Sequence, residues 1–506
     1  MSSSRVGRWV ARIPKMVNTL SRQGGTMSVQ MMRGGTWVFA SYGIQQAITL
    51  TRSMILARLL SPADFGIISQ AHLSTGALLI FTETGVWPAL IQRSQLDAET
   101  NNTAWTILMI RGLLMTLAIF ALSPMVGKFF GEPTLVPILR VMALTFTLSG
   151  CNSLSLALLQ RELQFDRLTY VNIASNVASL IASVVSAYWL RSAWAFVVGE
   201  LAGATTTLIG SYLVHGYRPR VRIAQERARE LLNFGKYVTG SGVISYLTNQ
   251  GVDAVVGRSL GAEALGLYGV GFRAANLPST SISQVLNRVT LSAFSRVQDD
   301  VAHLRSIYLR TLRLTALLAF PLAVGMFAVA PVLIPALYGP KWTAVVRPFM
   351  VLCLFGLERS LGSIASPTFL ALGKPRSLIW LGLVKLMTLS ALILPLTHRY
   401  GILGSATAAS ISAVAVHAFV IPATSRLLGL EARAILGTWV RPAAGSVLMA
   451  AVIIVVQRVF PVAASLPWLL ALTALGVIVY GVAVLRTEVD RLPEIWRSIV
   501  SQGVSD

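Results

Sequence analysis

Charged residues are scarce in this chain. Only 12% of its 506 residues are Asp, Glu, Lys or Arg, whereas 54% are hydrophobic and the mean hydropathy is +0.67. A soluble protein of this length carries about 25% charged residues, so an ordinary soluble fold is excluded. The apolar runs continue over about 20 residues instead of alternating over about 10, which excludes a membrane β-barrel. The sequence therefore predicts an all-α polytopic membrane protein.

Residues that serve in catalysis and metal binding are also rare. The two cysteines, Cys151 and Cys353, lie in apolar runs and are interpreted as small core residues. The five histidines show no spacing typical of metal ligands. The sequence has no nucleophile elbow and no glycine loop of the phosphate-binding type. We therefore expect no catalytic residue, no bound metal and no cofactor.

Acidic residues are outnumbered two to one by basic ones, and the formal net charge is +22. In a membrane protein, Lys and Arg beside the cytoplasmic ends of the spans explain such an excess, and nucleic-acid binding is not needed to explain it. We therefore expect anionic lipids as partners and no nucleic acid. With the N-terminus placed in the cytoplasm, 28 Lys and Arg residues fall in cytoplasmic segments, seven in the opposite loops and seven inside spans. This asymmetry predicts that both termini are cytoplasmic.

An internal repeat divides the chain. Residues 35–67 align without a gap on the segment 200 residues later, and seven positions are identical. The identical pairs are Gly35/Gly235, Val38/Val238, Ser41/Ser241, Ile44/Ile244, Arg58/Arg258, Leu60/Leu260 and Gly66/Gly266. Pro124/Pro331 and Arg140/Arg347 recur at an offset of 207, and Gly131/Gly339 one residue later. Parallel repeats of this kind are typical of transporters whose site lies between two halves.

About fourteen transmembrane helices follow from the apolar runs, arranged as two pseudo-symmetric six-helix lobes plus two C-terminal helices. The predicted spans lie at about 35–57, 66–91, 103–127, 136–159, 168–190, 193–214, 235–257, 265–287, 312–337, 344–371, 377–397, 401–425, 436–457 and 464–485. The predicted segments are a basic amphipathic leader at 1–34, the first lobe at 35–214, a cytoplasmic linker at 215–234, the second lobe at 235–428, helices 13 and 14 at 429–486, and a cytoplasmic tail at 487–506. The leader suits a helix on an anionic membrane surface. Two alternatives stay open: the leader is disordered, or translation starts at Met27 or Met31.

Polar residues recur on one face of several spans at helical spacing. They include Gln45 and Thr49 in the first span, Asn249 in the seventh, and Asn276 and Gln284 in the eighth. Interhelical hydrogen bonds are the simpler explanation for the short Ser and Thr side chains in these stripes. Because two of the stripes also contain Arg52 or Arg273, we favour a hydrated cavity there.

Charged residues inside the spans are candidates for function, since a charge near the middle of a bilayer costs roughly 2.5–3.5 kcal/mol on insertion scales. The cations are Arg52, Arg111, Arg273, Arg359 and Lys385, with Arg58 and Arg258 at the rim. The acids are Glu83, Glu200, Asp253 and Glu358. Glu358 and Arg359 are adjacent, so they point about 100° apart on a helix and need not pair with each other. The balance is cationic.

Several segments resemble a known family. They are "ARLLSPADFGI" at 57–67, "TETGVWPALIQR" at 82–93, "AWAFVVGELAG" at 193–203, and the stretch from "LLNFGKYVTGSG" at 231 to "GFRAANLP" at 278. These are similar to the polysaccharide-transporter branch of the multidrug/oligosaccharidyl-lipid/polysaccharide exporter superfamily. The resemblance covers roughly residues 35–425. It departs from the family at the long basic leader and at Glu83, where an aspartate is commoner.

The resemblance implies a flippase that moves undecaprenyl-diphosphate-linked oligosaccharide repeat units across the bacterial inner membrane by alternating access, without an enzymatic step. Other polysaccharide-assembly membrane proteins are possible partners. Arginine suits the diphosphate because its planar fork binds phosphate oxygens in pairs. The candidate diphosphate ligands are the seven cations named above. The four acids are the candidate gate or ion-coupling residues, and Asp253 is placed to hold Arg52, Arg258 or Arg273.

Three alternatives remain at this stage. A drug/cation antiporter of the same superfamily would share the fold, but it should have an acidic cavity. A lipid II flippase would share both the fold and the charge. A membrane polymerase or ligase of polysaccharide synthesis would be an enzyme, and such enzymes need a large outside loop that this chain lacks.

Overall fold

A computed structural model describes residues 26–82, 97–296 and 300–488, together with Val86 and Leu90. Within these residues the chain forms fifteen α-helices and one 3-10 helix, and no strand. The helices are α1 Thr26–Leu59, α2 Pro62–Phe81, α3 Ala98–Phe130, α4 Leu135–Gly150, α5 Ser155–Arg161, α6 Phe165–Leu190, α7 Trp194–Leu213, α8 Gln225–Ser259, α9 Gly261–Arg296, α10 Val301–Tyr338, α11 Val346–Gly362, α12 Ala365–Ala371, α13 Pro375–Leu428, α14 Ala432–Val459 and α15 Leu466–Glu488. The 3-10 helix, Pro340–Val345, precedes α11.

The prediction of an all-α chain is confirmed, and every predicted span overlaps a helix or a pair of helices. By length and composition, eight helices in the described ranges can cross a membrane, or nine if α4 and α5 are counted as one bent span. The number fourteen stays a prediction. The end of the predicted leader, from Thr26, continues directly into α1, whereas residues 1–25 and most of the tail lie outside the described residues.

Glycine and proline mark the breaks between helices. Gly373 has a positive φ of 66°, which glycine adopts without strain, and Pro375 follows it in the first turn of α13. Gly401 has φ 59° and ψ −139° and interrupts α13. The long helix is therefore two helical segments that meet at a kink, in agreement with the two spans predicted at 377–397 and 401–425.

The chain divides into two compact units. The first contains residues up to Leu56 with Thr82–Ser123 and Pro137–Thr239. The second contains Ala57–Phe81, Pro124–Val136 and the residues from Gly240 onward. Helix α2 thus belongs with the C-terminal helices. In the second unit, α14 and α15 bury Met449, Ile453 and Leu472 against α10. The lobe boundaries at 35–214 and 235–428 stay predictions.

The order of elements repeats further than the sequence indicates. The seven-residue helices α5 and α12 begin 210 residues apart and interrupt corresponding pairs of longer helices. Positive φ angles recur at the same offset, at Leu163 and Gly373 and again at Arg191 and Gly401. Gly131 and Gly339, which the sequence pairs, both have a positive φ at the end of a helix. The offset grows from 200 to 210 along the chain, which explains why an ungapped alignment loses the repeat.

A reciprocal contact joins α2 and α9 within the second unit. A Cβ atom added to Gly66 would overlap the carbonyl of Ala262, and one added to Gly266 would overlap the carbonyl of Pro62. Residues 62 and 66 are the repeat partners of 262 and 266, so each half makes the same contact with the other. Such an exchange is the mark of a local two-fold axis. It explains why glycine recurs at both positions.

Within the predicted linker at 215–234, the part before α8 is an extended segment that lies along the start of α3, inside the first unit. Side chains of α3 bind four of its groups: Asn102 Oδ1 accepts from Tyr217 Oη (2.9 Å) and Arg220 N (3.0 Å), Thr106 Oγ1 from Arg222 N (3.1 Å) and Thr103 Oγ1 from Ala224 N (3.1 Å). Arg222 also pairs with Glu99 at 3.0 Å. Burial raises the pKa of Tyr217 to about 12, so its hydroxyl stays a donor at neutral pH.

The α2–α9 contact leads to the first prediction. Gly66→Ala and Gly266→Ala should each destabilise the protein by roughly 1–3 kcal/mol, because the added methyl must push apart two packed backbones. Gly43→Ala is the matched control, since nothing lies within 4 Å of a Cβ at that helical position. The measurement is the melting temperature of the purified protein. Equal melting temperatures for all three variants would contradict the contact.

Candidate functional site

Three helices of the second unit, α9, α11 and α13, carry the candidate cations Arg273, Arg359 and Lys385. Helices α9 and α11 approach closely because α11 has glycine where they meet. A Cβ at Gly356 would lie only 2.8 Å from the carbonyl oxygen of Ala275. Asn276, beside that contact, is buried and donates to the Phe272 carbonyl of its own helix at 2.9 Å. Its amide therefore serves helix packing.

Arg359 and Lys385 are close enough for their like charges to act on each other, across α11 and α13. The Lys385 ammonium lies 5.5 Å from the centroid of the Phe355 ring, and this cation–π contact stabilises one of the two charges. Arg359 is exposed and Lys385 half-buried. Two neighbouring cations repel each other unless an anion lies between them, so the pair is an arrangement that favours an anionic ligand.

Aromatic rings extend from this pair along α9. Phe355 lies 5.6 Å from Phe272, and Phe272 stacks on Tyr268 at 5.8 Å. Tyr268 is almost fully buried, with 1% of its surface exposed. The row joins α9 to α11 by apolar contact. It fixes the ring beneath Lys385, so the ammonium has a defined position.

Asp253 and Arg273 form the second charged group of this unit. The Arg273 charge acts on the Asp253 carboxylate across α8 and α9. Of the arginines expected to neighbour Asp253, Arg273 is the one whose charge acts on it, and the gate role of Asp253 stays a prediction. Asp253 is half-buried and Arg273 exposed. The pair holds opposite charges, so an anion would have to compete with the carboxylate for the guanidinium.

Glu358 pairs with a histidine. The Glu358 Oε2 and His417 Nδ1 atoms are 2.7 Å apart, joining α11 to the second segment of α13. Glu358 therefore has a partner other than Arg359, in line with the divergence of about 100° between adjacent side chains on a helix. The sequence interpretation considered the histidines as candidate metal ligands, so it missed His417 as a partner of Glu358. The missed signal was a histidine within a predicted span, where an imidazole needs a polar partner.

The rim arginines have contacts of their own. Arg58 Nη2 and Nε donate to the carbonyls of Ala336 (2.6 Å) and Leu337 (3.3 Å), at the C-terminal end of α10. A cation at that position offsets the partial negative charge of the helix end. The repeat partner Arg258 lies over the Phe129 ring at 5.8 Å. Arg58 and Arg258 thus stabilise helix ends in this structure, and diphosphate binding by either stays a prediction.

The remaining candidate charges lie in the first unit. Arg52 Nη1 donates to Ser179 Oγ at 2.6 Å, and the charge of Glu200 acts on Arg52. These residues bring together α1, α6 and α7. Helices α6 and α7 pack closely because Gly199 and Gly203, which form a G-x-x-x-G pattern, face Ser183 and Ser179. Arg111 is half-buried on α3.

The predicted polar stripes are only partly interior. Gln45 donates to Ser41 Oγ at 2.6 Å within α1, whereas Thr49 and Asn249 are exposed. The side chain of Gln284 and the residue Glu83 lie outside the described residues. No group of three metal-binding side chains occurs within the described ranges. The hydrated-cavity hypothesis for the stripes stays a prediction.

Comparison with protein families decides the identity of the chain. Residues 55–347 match the family described as polysaccharide biosynthesis protein. The chain belongs to this family. It is 26% identical over 332 residues to the lipopolysaccharide biosynthesis protein WzxC of Escherichia coli, covering 65% of this chain and 68% of WzxC. It is 25% identical to the succinoglycan biosynthesis transport protein ExoT of Rhizobium meliloti, covering 86% and 88%.

Solved structures show the same fold. The lipid II flippase MurJ, in an inward closed conformation, matches with a TM-score of 0.72 at 14% identity, covering 91% of this chain and 99% of MurJ. An inward-facing multidrug MATE transporter of the MOP superfamily matches with a TM-score of 0.59 at 14% identity, covering 76% and 95%. The predicted fold and superfamily branch are confirmed. This family member is a multi-pass membrane transporter and not an enzyme.

The electrostatic interaction of Glu200 with Arg52 leads to a second prediction. Arg52→Leu should lower the free energy of unfolding by roughly 1–3 kcal/mol, because Glu200 keeps its charge and loses a partner. The double variant R52L/E200L should recover most of that loss, since both charges are gone. Thermal melting of the purified protein measures both, with Thr51→Leu, on the exposed next position of α1, as control. A double variant as unstable as R52L would contradict the pairing.

Proposed function

We propose that this family member is a flippase for undecaprenyl-diphosphate-linked oligosaccharide repeat units. It would carry them from the cytoplasmic to the periplasmic leaflet of a bacterial inner membrane, by alternating access. Membership of the family and the names of WzxC and ExoT, which concern lipopolysaccharide and succinoglycan, support a lipid-linked polysaccharide precursor as substrate. Both termini and the linker would lie in the cytoplasm, in accord with the Lys and Arg asymmetry.

The Arg359–Lys385 pair is the observation that carries this proposal. A diphosphate has about two negative charges, and two neighbouring cations match that charge. Arg359 can donate two hydrogen bonds from its planar fork, while Lys385 supplies a point charge whose position Phe355 fixes. The oligosaccharide would extend into polar surroundings and the lipid tail would remain in the bilayer.

Arg273 is the second candidate ligand of the diphosphate. Its partner Asp253 is the gate candidate, because a diphosphate arriving at Arg273 would displace the carboxylate. Substrate would then favour the conformation in which the Asp253–Arg273 pair is broken. A ligand shifts a conformational equilibrium only through such differential affinity.

Two related functions compete with this proposal. Lipid II also carries a diphosphate, so the cationic pair suits a lipid II flippase equally well, and the similarity to MurJ shows the fold alone. The family match favours the polysaccharide precursor. A drug/cation antiporter is disfavoured, because neighbouring cations at Arg359 and Lys385 would repel a cationic drug.

The pair leads to a third prediction. Arg359→Gln and Lys385→Gln should each reduce polysaccharide export about tenfold or more, since one charged phosphate contact contributes roughly 1.5–3 kcal/mol. Neither change should lower the melting temperature, because each relieves the repulsion between two like charges. Export is measured by complementation of a deletion strain, together with the lipid-linked intermediates that accumulate in it.

Arg399→Gln is the matched control for these variants, since Arg399 lies exposed on the same helix α13 against Tyr400. It should export normally. Normal export by both R359Q and K385Q, at normal amounts of folded protein, would contradict the diphosphate assignment. Accumulated intermediates that carry a peptidoglycan precursor would instead favour the lipid II alternative.

Topology gives a fourth prediction. After replacement of Cys151 and Cys353, an impermeant thiol reagent added to intact cells should label Lys128→Cys and Arg458→Cys but not Gln225→Cys. All three positions are exposed, so the result depends on the side of the membrane. Labelling of position 225 in intact cells, at the level seen in opened membranes, would reverse the proposed orientation.

A further inference from the structure

The Glu358–His417 pair is enclosed by three helices. Only 12% of the His417 side chain and 19% of the Glu358 side chain is exposed. The Trp439 ring of α14 lies 6.0 Å from the imidazole in an edge-on arrangement. Gly362 of α11 leaves room for the ring, because a Cβ there would lie 3.3 Å from His417 Cε1. The pair therefore occupies a shaped site among α11, α13 and α14.

Few polar groups surround the imidazole of His417. Within the described residues, Glu358 is the charged group that acts on His417, and the Ala413 carbonyl lies 3.4 Å from Nδ1. In the same part of the chain the buried Nε2 atom has no hydrogen-bond partner. The adjacent cation Arg359 starts about 100° away on α11, and its charge acts on Lys385. Burial and one carboxylate therefore act together on this imidazole.

A carboxylate and an imidazole in contact can share one proton. With that proton, the pair has no net charge, whether it is written as imidazolium and carboxylate or as imidazole and carboxylic acid. Without it, the pair has one net negative charge in a site that water reaches poorly, which is costly. Because the two groups titrate together, the proton belongs to the pair and not to either residue.

We propose that Glu358 and His417 form a proton-binding site that makes transport depend on pH. One proton binds the pair and changes its charge from −1 to 0, and the same proton leaves when the pair returns to its first state. No other bond forms or breaks. The proposed effect of this proton on transport rests on the proposed flippase function. Coupling is possible because Glu358 and the proposed diphosphate ligand Arg359 are neighbours on α11, so a shift of that helix moves both.

Proton binding is tested first, without substrate. The full-length protein is labelled with ¹⁵N-histidine in detergent, and the His417 signal is identified by its absence from H417Q. If H417Q does not fold, a chain with the other four histidines replaced serves instead. We expect the signal to report gain of one proton between pH 5 and 9. Glu358→Gln should weaken proton affinity about tenfold, because the carboxylate no longer stabilises the imidazolium. An unchanged protonation state across this range would overturn the proposal.

Coupling is tested next in proteoliposomes that contain undecaprenyl-diphosphate-linked oligosaccharide. Flux of the wild type should differ at least threefold between pH 6 and pH 8, and E358Q and H417Q should lose that difference. His398→Gln, at an exposed position on α13, is the control and should keep it. A wild type that transports with the same pH dependence as both variants would overturn coupling. A wild type that binds the proton at His417 but moves no substrate would refute the flippase function and leave the proton site standing.

Discussion

The second unit depends on how closely α2 and α9 approach each other. Their backbones meet at Gly66 and Gly266, where neither position has room for a Cβ atom. The contact is made twice, with the roles of the two halves exchanged, so a single geometric requirement fixes two residues of the sequence. Arg58 and Lys341 reinforce the same region by donating to main-chain carbonyls near the ends of α10 and α1. Helix packing, rather than charge, therefore sets the positions from which the charged side chains project.

The cations of the spans then separate into two kinds. Arg52 and Arg273 each have an acid nearby, and Arg58 has the carbonyl end of a helix. These contacts offset the cost of placing a guanidinium in an apolar region. Arg359 and Lys385 instead act on each other as like charges, so each disfavours the charge of the other. The fold tolerates that arrangement because Phe355 faces the ammonium and Arg359 is exposed. An arrangement that costs stability without a ligand is a better indicator of binding than a satisfied ion pair.

Much of the fold could be predicted, because apolar length, glycine and proline are local signals. The break at Gly401 follows from these signals, and Gly131 and Gly339 already recur as a pair in the sequence. The divergence of Glu358 from Arg359 follows from the geometry of a helix. Pairings between helices could not be predicted. His417 lies 59 positions after Glu358 and α13 could present it to several neighbours, so only tertiary packing decides its partner. The same reason left the neighbours of Arg52 open until the positions of Ser179 and Glu200 were known.

Helix α11 carries two different charged sites, which start from side chains about 100° apart on its surface. Arg359 contributes to a site that gains from an added negative charge, and Glu358 to a site that gains from an added proton. Both preferences arise from charge that the apolar surroundings cannot solvate, so both are stronger here than they would be in water. Glu358 and Arg359 lie on one helix of seventeen residues, so a movement of α11 affects both sites. Such a movement would shift Arg359 relative to Lys385 and Glu358 relative to His417, which gives one site a physical route to influence the other.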